Sequence, residues 1–119
     1  VAAKICNNRH VPTRVKFIVI PASKEIYLTA MKEGLLEILI NAGAMIEYPT
    51  CGPCIGAQMG ILGPNEVGIS SSNRNFPGRM GHGSAKVYLA SPAVVAASAI
   101  AGYITIPDQS IQEVRDHEL

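Results

Sequence analysis

Three cysteines and two closely spaced arginines are the side chains of this 119-residue chain best suited to hold something other than protein. Cys51 and Cys54 bracket Gly52-Pro53, while Cys6 stands far upstream in Ile5-Cys6-Asn7-Asn8-Arg9. An odd count with one tight pair points to metal or redox chemistry and away from a disulfide framework. Arg74 and Arg79 lie in the stretch Ser70-Ser71-Ser72-Asn73-Arg74-Asn75-Phe76-Pro77-Gly78-Arg79. A guanidinium presents a planar fork of donors that matches a carboxylate, so two forks on one turn-forming loop suit a di- or tricarboxylic acid. A lone arginine would be read as solvating the loop. Two of them amid Ser and Asn donors, directly after a predicted strand, favour binding.

The cysteine pair by itself admits several readings. A predicted strand precedes it and a short helix opens at it, so backbone N–H groups and the helix dipole favour thiolate. Cys-Gly-Pro-Cys is also the sequence of a dithiol redox carrier, in a chain of suitable length. Against that reading stand the absence of Trp, the interruption of the following helix by Gly56, Gly60 and Gly63, and the long helix ahead of the pair. Packing as two small hydrophobes would not ask for Gly-Pro between the cysteines. Zinc shared with His82 or His10 lacks the spacing of a second ligand. An iron–sulfur cluster held by three thiolates leaves one iron open as a Lewis acid. That reading needs a third cysteine, and Cys6 reads as a helix residue rather than a ligand.

The scaffold that must position these groups is legible from patterning. Residues 15–20 (Val-Lys-Phe-Ile-Val-Ile) form a β-branched run stopped by Pro21 and predict a buried strand. Ser23 offers an N-cap to one long helix whose apolar stripe is Tyr27, Ala30, Met31, Leu35, Ile38 and Ala42, closed by Gly43. Residues 44–48, 66–70 and 86–90 predict three more strands. Ser91-Pro92 caps a small-residue helix over 93–101, ended by Gly102 before strand-like 103–106. Strands alternating with helices predict an α/β class with a mostly parallel sheet covered on both faces, as three αβα layers. In such sheets ligands gather beyond the C-terminal ends of strands. The cysteine loop, the arginine loop and residues 80–84 all fall at such ends.

Composition narrows the rest. Apolar residues make up 48% and charged residues 16%, which supports a single packed domain over 1–119 and excludes disorder. Ten Lys and Arg against nine Asp and Glu leave +1, without the basic surplus that binding to nucleic acid needs. The near-apolar run 87–102 is broken by Ser91, Pro92 and Ser98, so no membrane partner is expected, and the reading is cytoplasmic. Val1 and Ile5 stand at helical spacing without a cap, like the tail of a helix that starts upstream. Residues 111–119 are mostly polar and read as a frayed helix or tail.

Three motifs in this order, Cys-Gly-Pro-Cys-Ile-Gly (51–56), Ser-Asn-Arg-Asn-Phe-Pro-Gly-Arg (72–79) and Tyr-Leu-Ala-Ser-Pro-Ala (88–93), resemble the aconitase family. The likeness runs from the first strand to about Pro107. It is greatest to the branch with separate large and small subunits, the 3-isopropylmalate dehydratases and the similar archaeal homoaconitases.

The resemblance implies that Cys51 and Cys54 are two of three ligands to a [4Fe-4S] cluster. It implies that Arg74 and Arg79 hold substrate carboxylates, and that Asn73 lies at the substrate near the cluster. The implied reaction removes and re-adds water on a 2-hydroxy acid, here one of leucine biosynthesis. The family's first cluster cysteine sits in Ser-Cys-Thr-Asn, which is absent here and is expected upstream of Val1. The family's catalytic serine belongs to a swivelling domain, the small subunit in this branch, so no catalytic residue is expected in this chain. The chain therefore reads as the C-terminal portion of a larger large subunit, with the rest of that subunit, a small subunit and a hydroxy di- or tricarboxylic acid as partners, and as inactive alone.

Overall fold

The computed structural model describes residues 1–55 and 59–107. Their order is α1 (Ala2–Cys6), β1 (Phe17–Val19), α2 (Lys24–Lys32), α3 (Leu35–Asn41), β2 (Ala44–Ile46), β3 (Val67–Ser70), β4 (Lys86–Leu89) and α4 (Pro92–Ala101), with one 3₁₀ turn at Gly52–Ile55. The chain adopts the α/β class read from its sequence, and both strand pairs are parallel. The sheets are small: β1 pairs with β2, and β3 pairs with β4. Residues 111–119, read as a frayed helix or tail, lie outside the described residues.

Caps fall where their chemistry requires. The Ser23 hydroxyl accepts from Ile26 N–H at 3.2 Å and starts α2, and Ser91 accepts from Val94 N–H at 3.3 Å and starts α4 ahead of Pro92. Gly43 and Gly102, at φ 98 and 83, follow the ends of α3 and α4. Between these caps the expected long helix is instead two. Gly34 adopts φ 74, a conformation most side chains avoid, and its N–H closes on Met31 O at 3.2 Å before α3 restarts. The break resets the buried face, so that α3 buries Leu36 and Leu39 while α2 buries no residue. The apolar stripe runs through the break in sequence, which hides it.

The core gathers around α1, the short helix expected at the start of the chain. Ile5 and Cys6 are each 1% exposed and pack with Leu39 and Ala42 on one side and with Ala93, Ala96, Ala97 and Ala99 of α4 on another. Alanines let α4 come close to α1, and the same helix also touches β3. Residues 103–106, expected as a strand, are not one. Buried Ser98 on α4 holds them instead: its hydroxyl accepts from Thr105 N–H at 3.0 Å and donates to Thr105 O at 3.2 Å. One serine side chain satisfies both backbone groups that a strand partner would have taken.

The two strand pairs differ in their crossovers. The helices α2 and α3 connect β1 to β2, whereas residues 71–85 connect β3 to β4 without a helix. The second connection is fixed partway by a parallel bridge between Leu62 and Gly81. Leu62 N–H donates to Met80 O at 2.8 Å, and His82 N–H donates to Leu62 O at 2.9 Å. Gly81 has φ 142, and a Cβ there would collide with the Leu62 carbonyl oxygen and lie 2.6 Å from the Leu62 nitrogen.

Gly81→Ala should therefore destabilise the fold by about 2–5 kcal/mol, from two backbone hydrogen bonds and the strained φ. Gly83→Ala is the control, since nothing lies within 4 Å of its built Cβ. Urea denaturation of both variants checks this, and equal losses would count against the bridge.

Candidate functional site

The cysteine loop begins where β2 ends. Glu47 N–H donates to Val19 O at 3.0 Å, carrying the β1–β2 ladder one step further, and the chain then turns through Tyr48, Pro49 and Thr50. Gly52 N–H donates to the Thr50 hydroxyl at 3.0 Å. A Cβ on Gly52 would collide with Ile20 Cδ1, so a residue without a side chain lets the loop lie against the end of β1. This leaves Cys51 exposed with a free thiol beyond the strand ends, where the α/β arrangement predicts a ligand. The short helix expected to open at the pair is the 3₁₀ turn Gly52–Ile55. The Cys54 side chain and Gly56 lie outside the described residues.

Cys6 is in a different environment. Buried in α1, its thiol is pushed up from an ordinary 9.0 to about 11 by desolvation, with Arg9 pulling weakly the other way. A thiol held neutral in a core of Ile and Ala is not poised to ligate metal. The reading of Cys6 as a helix residue stands.

The arginine loop leaves β3 through a serine turn. The Ser70 hydroxyl accepts from Ser72 N–H at 3.1 Å and donates to the Ser72 hydroxyl at 3.1 Å. Asn73 and Arg74 are exposed at the crown. Asn75 Nδ2 donates to Val87 O of β4 at 2.6 Å. The loop then closes on itself, with Arg79 N–H donating to Phe76 O at 3.0 Å. The Arg79 guanidinium sits 5.4 Å from the Phe76 ring centroid, within cation–π range, and Arg79 is half-buried. Met80, which follows, is buried and hands the chain to the Leu62 bridge.

The two histidines weighed as zinc ligands have other occupations. His10 Nδ1 bonds the Val11 carbonyl at 2.6 Å, which makes that nitrogen the donor. His82 Nδ1 accepts from Ser84 N–H at 3.1 Å and pairs with the Ser84 hydroxyl at 2.8 Å, while that hydroxyl accepts from Asn65 N–H at 2.9 Å. The network puts the His82 proton on Nε2 and uses the ring to fix the turn before β4. No cluster of three or more His, Cys, Asp or Glu suited to a metal ion forms among the described residues.

Cys51 thus ends one strand pair, and Arg74 and Arg79 follow the first strand of the other. The Leu62–Gly81 bridge joins the segment after the cysteine loop to the segment after the arginine loop. Asn75, which donates to Val87 O, and Gly81, which admits the Leu62 bridge, are the residues that patterning missed. Asn75 carried no periodic signal, and Gly81 was visible only as part of the unusual stretch 80–84.

Residues 1–102 match the Aconitase family (aconitate hydratase), and the chain belongs to that family. It is similar to the 3-isopropylmalate dehydratase large subunit of Clostridium kluyveri, 55% identical over 111 residues that cover 93% of this chain and 26% of that one. The same subunit of Halothermothrix orenii is 55% identical over 109 residues, covering 92% and 26%. A probable methanogen homoaconitase large subunit from Methanothermobacter thermautotrophicus is 55% identical over 109 residues, again covering 92% and 26%. The chain spans about a quarter of the length of these relatives. With the family established, the dithiol-carrier reading of the cysteine pair is set aside.

The contrast between the two described cysteines gives a chemical test. In the native chain, iodoacetamide at pH 8 should modify Cys51 readily and Cys6 only after unfolding, as read by mass spectrometry of tryptic peptides. Burial raises the folded Cys6 thiol above its unfolded value, so the associated stability is intact below about 9 and is lost as pH rises from about 9 to about 11. A denaturation midpoint that does not fall across that window would contradict the buried neutral thiol.

Proposed function

We propose that this chain is about a quarter of a hydro-lyase large subunit, folded as one α/β unit, which contributes thiolates to a [4Fe-4S] cluster and a carboxylate-binding loop to the substrate. The observation that carries the reading is the pairing of an exposed Cys51 beyond β2 with a two-arginine loop beyond β3, bridged through Leu62 and Gly81, in a chain of the aconitase family. The substrate we infer is 3-isopropylmalate, in leucine biosynthesis. The second reading is homoaconitase, favoured by the equal 55% identity to the methanogen homoaconitase large subunit. The rest of the large subunit and a small subunit carrying the catalytic serine would complete the enzyme. The setting we propose is the cytoplasm; no helix among the described residues is long and apolar enough to cross a membrane.

The donor set fits the cluster. Cysteine thiolates are the ligands iron–sulfur clusters take, and Cys51 stands exposed on a loop whose Gly52 is pressed against Ile20. Cys51 and Cys54 would hold it, with a third cysteine from outside this chain. When bound, the cluster supplies a Lewis-acidic iron for the substrate hydroxyl.

The chain's own residues bind and orient. Arg74 and Arg79 present guanidinium forks to substrate carboxylates, and Asn73 beside them offers an amide donor. Holding two carboxylates binds the substrate and fixes the hydroxyl-bearing carbon relative to the rest of the site. The proton moves through the serine of the small subunit, so no catalytic residue is assigned here.

Kinetics of a complete large subunit carrying these residues, paired with its small subunit, test the reading. Arg74→Lys and Arg79→Lys keep the charge and lose the planar fork. Each should lower kcat/KM for 3-isopropylmalate more than about tenfold, roughly 1.4 kcal/mol, at unchanged iron content. Cys51→Ser should instead lose the cluster colour and all turnover. Wild-type kinetics in both lysine variants would sink the clamp, and faster turnover of homoaconitate than of 3-isopropylmalate would favour the second reading.

A further inference from the structure

No helix lies within the connection 71–85, yet the arginine loop must hold in place the backbone that carries two guanidinium groups. The β3–β4 ladder shows what holds it. Lys86 N–H donates to Glu66 O at 2.8 Å and Ala90 N–H to Ser70 O at 2.9 Å, so these β4 positions face β3. In a parallel ladder the intervening residues point their backbone groups the other way, which turns the Val87 carbonyl toward the side of β4 away from β3. Among the described residues no strand pairs with that side. The side chain of Asn75 takes the acceptor, with Nδ2 2.6 Å from Val87 O.

Asn75 stands next to Arg74 and four residues before Arg79, between the Ser70–Ser72 turn and the Phe76–Arg79 turn. Those turns are local, and each fixes the loop only against itself. The Asn75 bond spans twelve positions of sequence to another strand, so it sets where the crown lies relative to the sheet. Asn75 is exposed, so its removal takes away no core packing.

We propose that Asn75 is a positioning residue for substrate binding, which acts by tying the crown of the arginine loop to the Val87 carbonyl. The proposal rests on the reading of Arg74 and Arg79 as a carboxylate clamp. Two forks grip two carboxylates only if the backbone that carries them keeps its place, and a displacement of about 1 Å is enough to lose much of the benefit. Losing the tie therefore falls on substrate affinity more than on the chemical step.

The test uses the complete large subunit with its small subunit and 3-isopropylmalate, at matched iron content. Asn75→Asp keeps the size, removes the donor and sets a carboxylate against the Val87 carbonyl. It should raise KM about tenfold with a smaller fall in kcat. Asn75→His, which restores a ring N–H at similar reach, should recover most of that loss. Amide hydrogen exchange should quicken within 71–79 in the Asp variant and stay slow in α4.

Arg74→Lys and Arg79→Lys run in the same assay separate the two claims. Lowered kcat/KM in the arginine variants with wild-type KM in Asn75→Asp overturns the positioning role and leaves the clamp standing. Wild-type kcat/KM in both arginine variants overturns the clamp and this role with it. Loss of iron or faster exchange in α4 in Asn75→Asp, with no recovery in Asn75→His, means a general loss of structure and also overturns it.

Discussion

Two backbone hydrogen bonds, from Leu62 N–H to Met80 O and from His82 N–H to Leu62 O, carry the relation between the two loops. Neither loop has a core of its own, and irregular segments take their position from what anchors them. The cysteine loop is anchored at its start by the β1–β2 ladder and the contact of Gly52 with Ile20. The arginine loop is anchored at its start by β3. The bridge adds a direct tie between the segments that follow the two loops. Gly81 is the condition for this close approach, because any Cβ would occupy the space of the Leu62 carbonyl.

The bridge alone would not make the two halves one body, and the alanine face of α4 contributes the rest. Ala93, Ala96, Ala97 and Ala99 are buried, which brings α4 against α1, and the same helix touches β3. Each buried alanine contributes little transfer free energy compared with Leu or Ile. Their smallness lets a ten-residue helix serve both neighbours, with Ile5 and Cys6 filling the space beneath. The core therefore lies away from the loops, and the Cys6 thiol belongs to it in chemistry as well as place.

Features set by a single residue's local chemistry were legible in the sequence. The Ser23 and Ser91 caps, Gly43 and Gly102 at helix ends, the parallel strands and the placement of the cysteine and arginine loops after strands all follow from side-chain type and period. Features that depend on distant partners were not. The break at Gly34 leaves the apolar stripe intact in sequence and shows only in φ. Residues 103–106 look like a strand because they are β-branched and aromatic, but the Ser98 hydroxyl satisfies Thr105 where a ladder was expected. For the candidate site, residue types pointed to Cys51, Cys54, Arg74 and Arg79, and the family resemblance added Asn73. Asn75 could not be separated from its neighbours, since its role depends on which way the Val87 carbonyl points.

The two arginines of the proposed clamp do not begin from equal states. Arg79 is half-buried with its guanidinium 5.4 Å from the Phe76 centroid, and its own N–H closes the turn on Phe76 O. Much of its side-chain freedom is already lost in the folded chain. Arg74 is exposed at the crown, where ordering a long side chain on binding costs about 1.5–2 kcal/mol. In the proposed clamp a carboxylate would meet a restricted guanidinium at Arg79 and a freer one at Arg74, so Arg79 loses less freedom on binding and Arg74 more. Both depend on the crown keeping its place on the sheet, which is the constraint that the bond from Asn75 to Val87 O supplies.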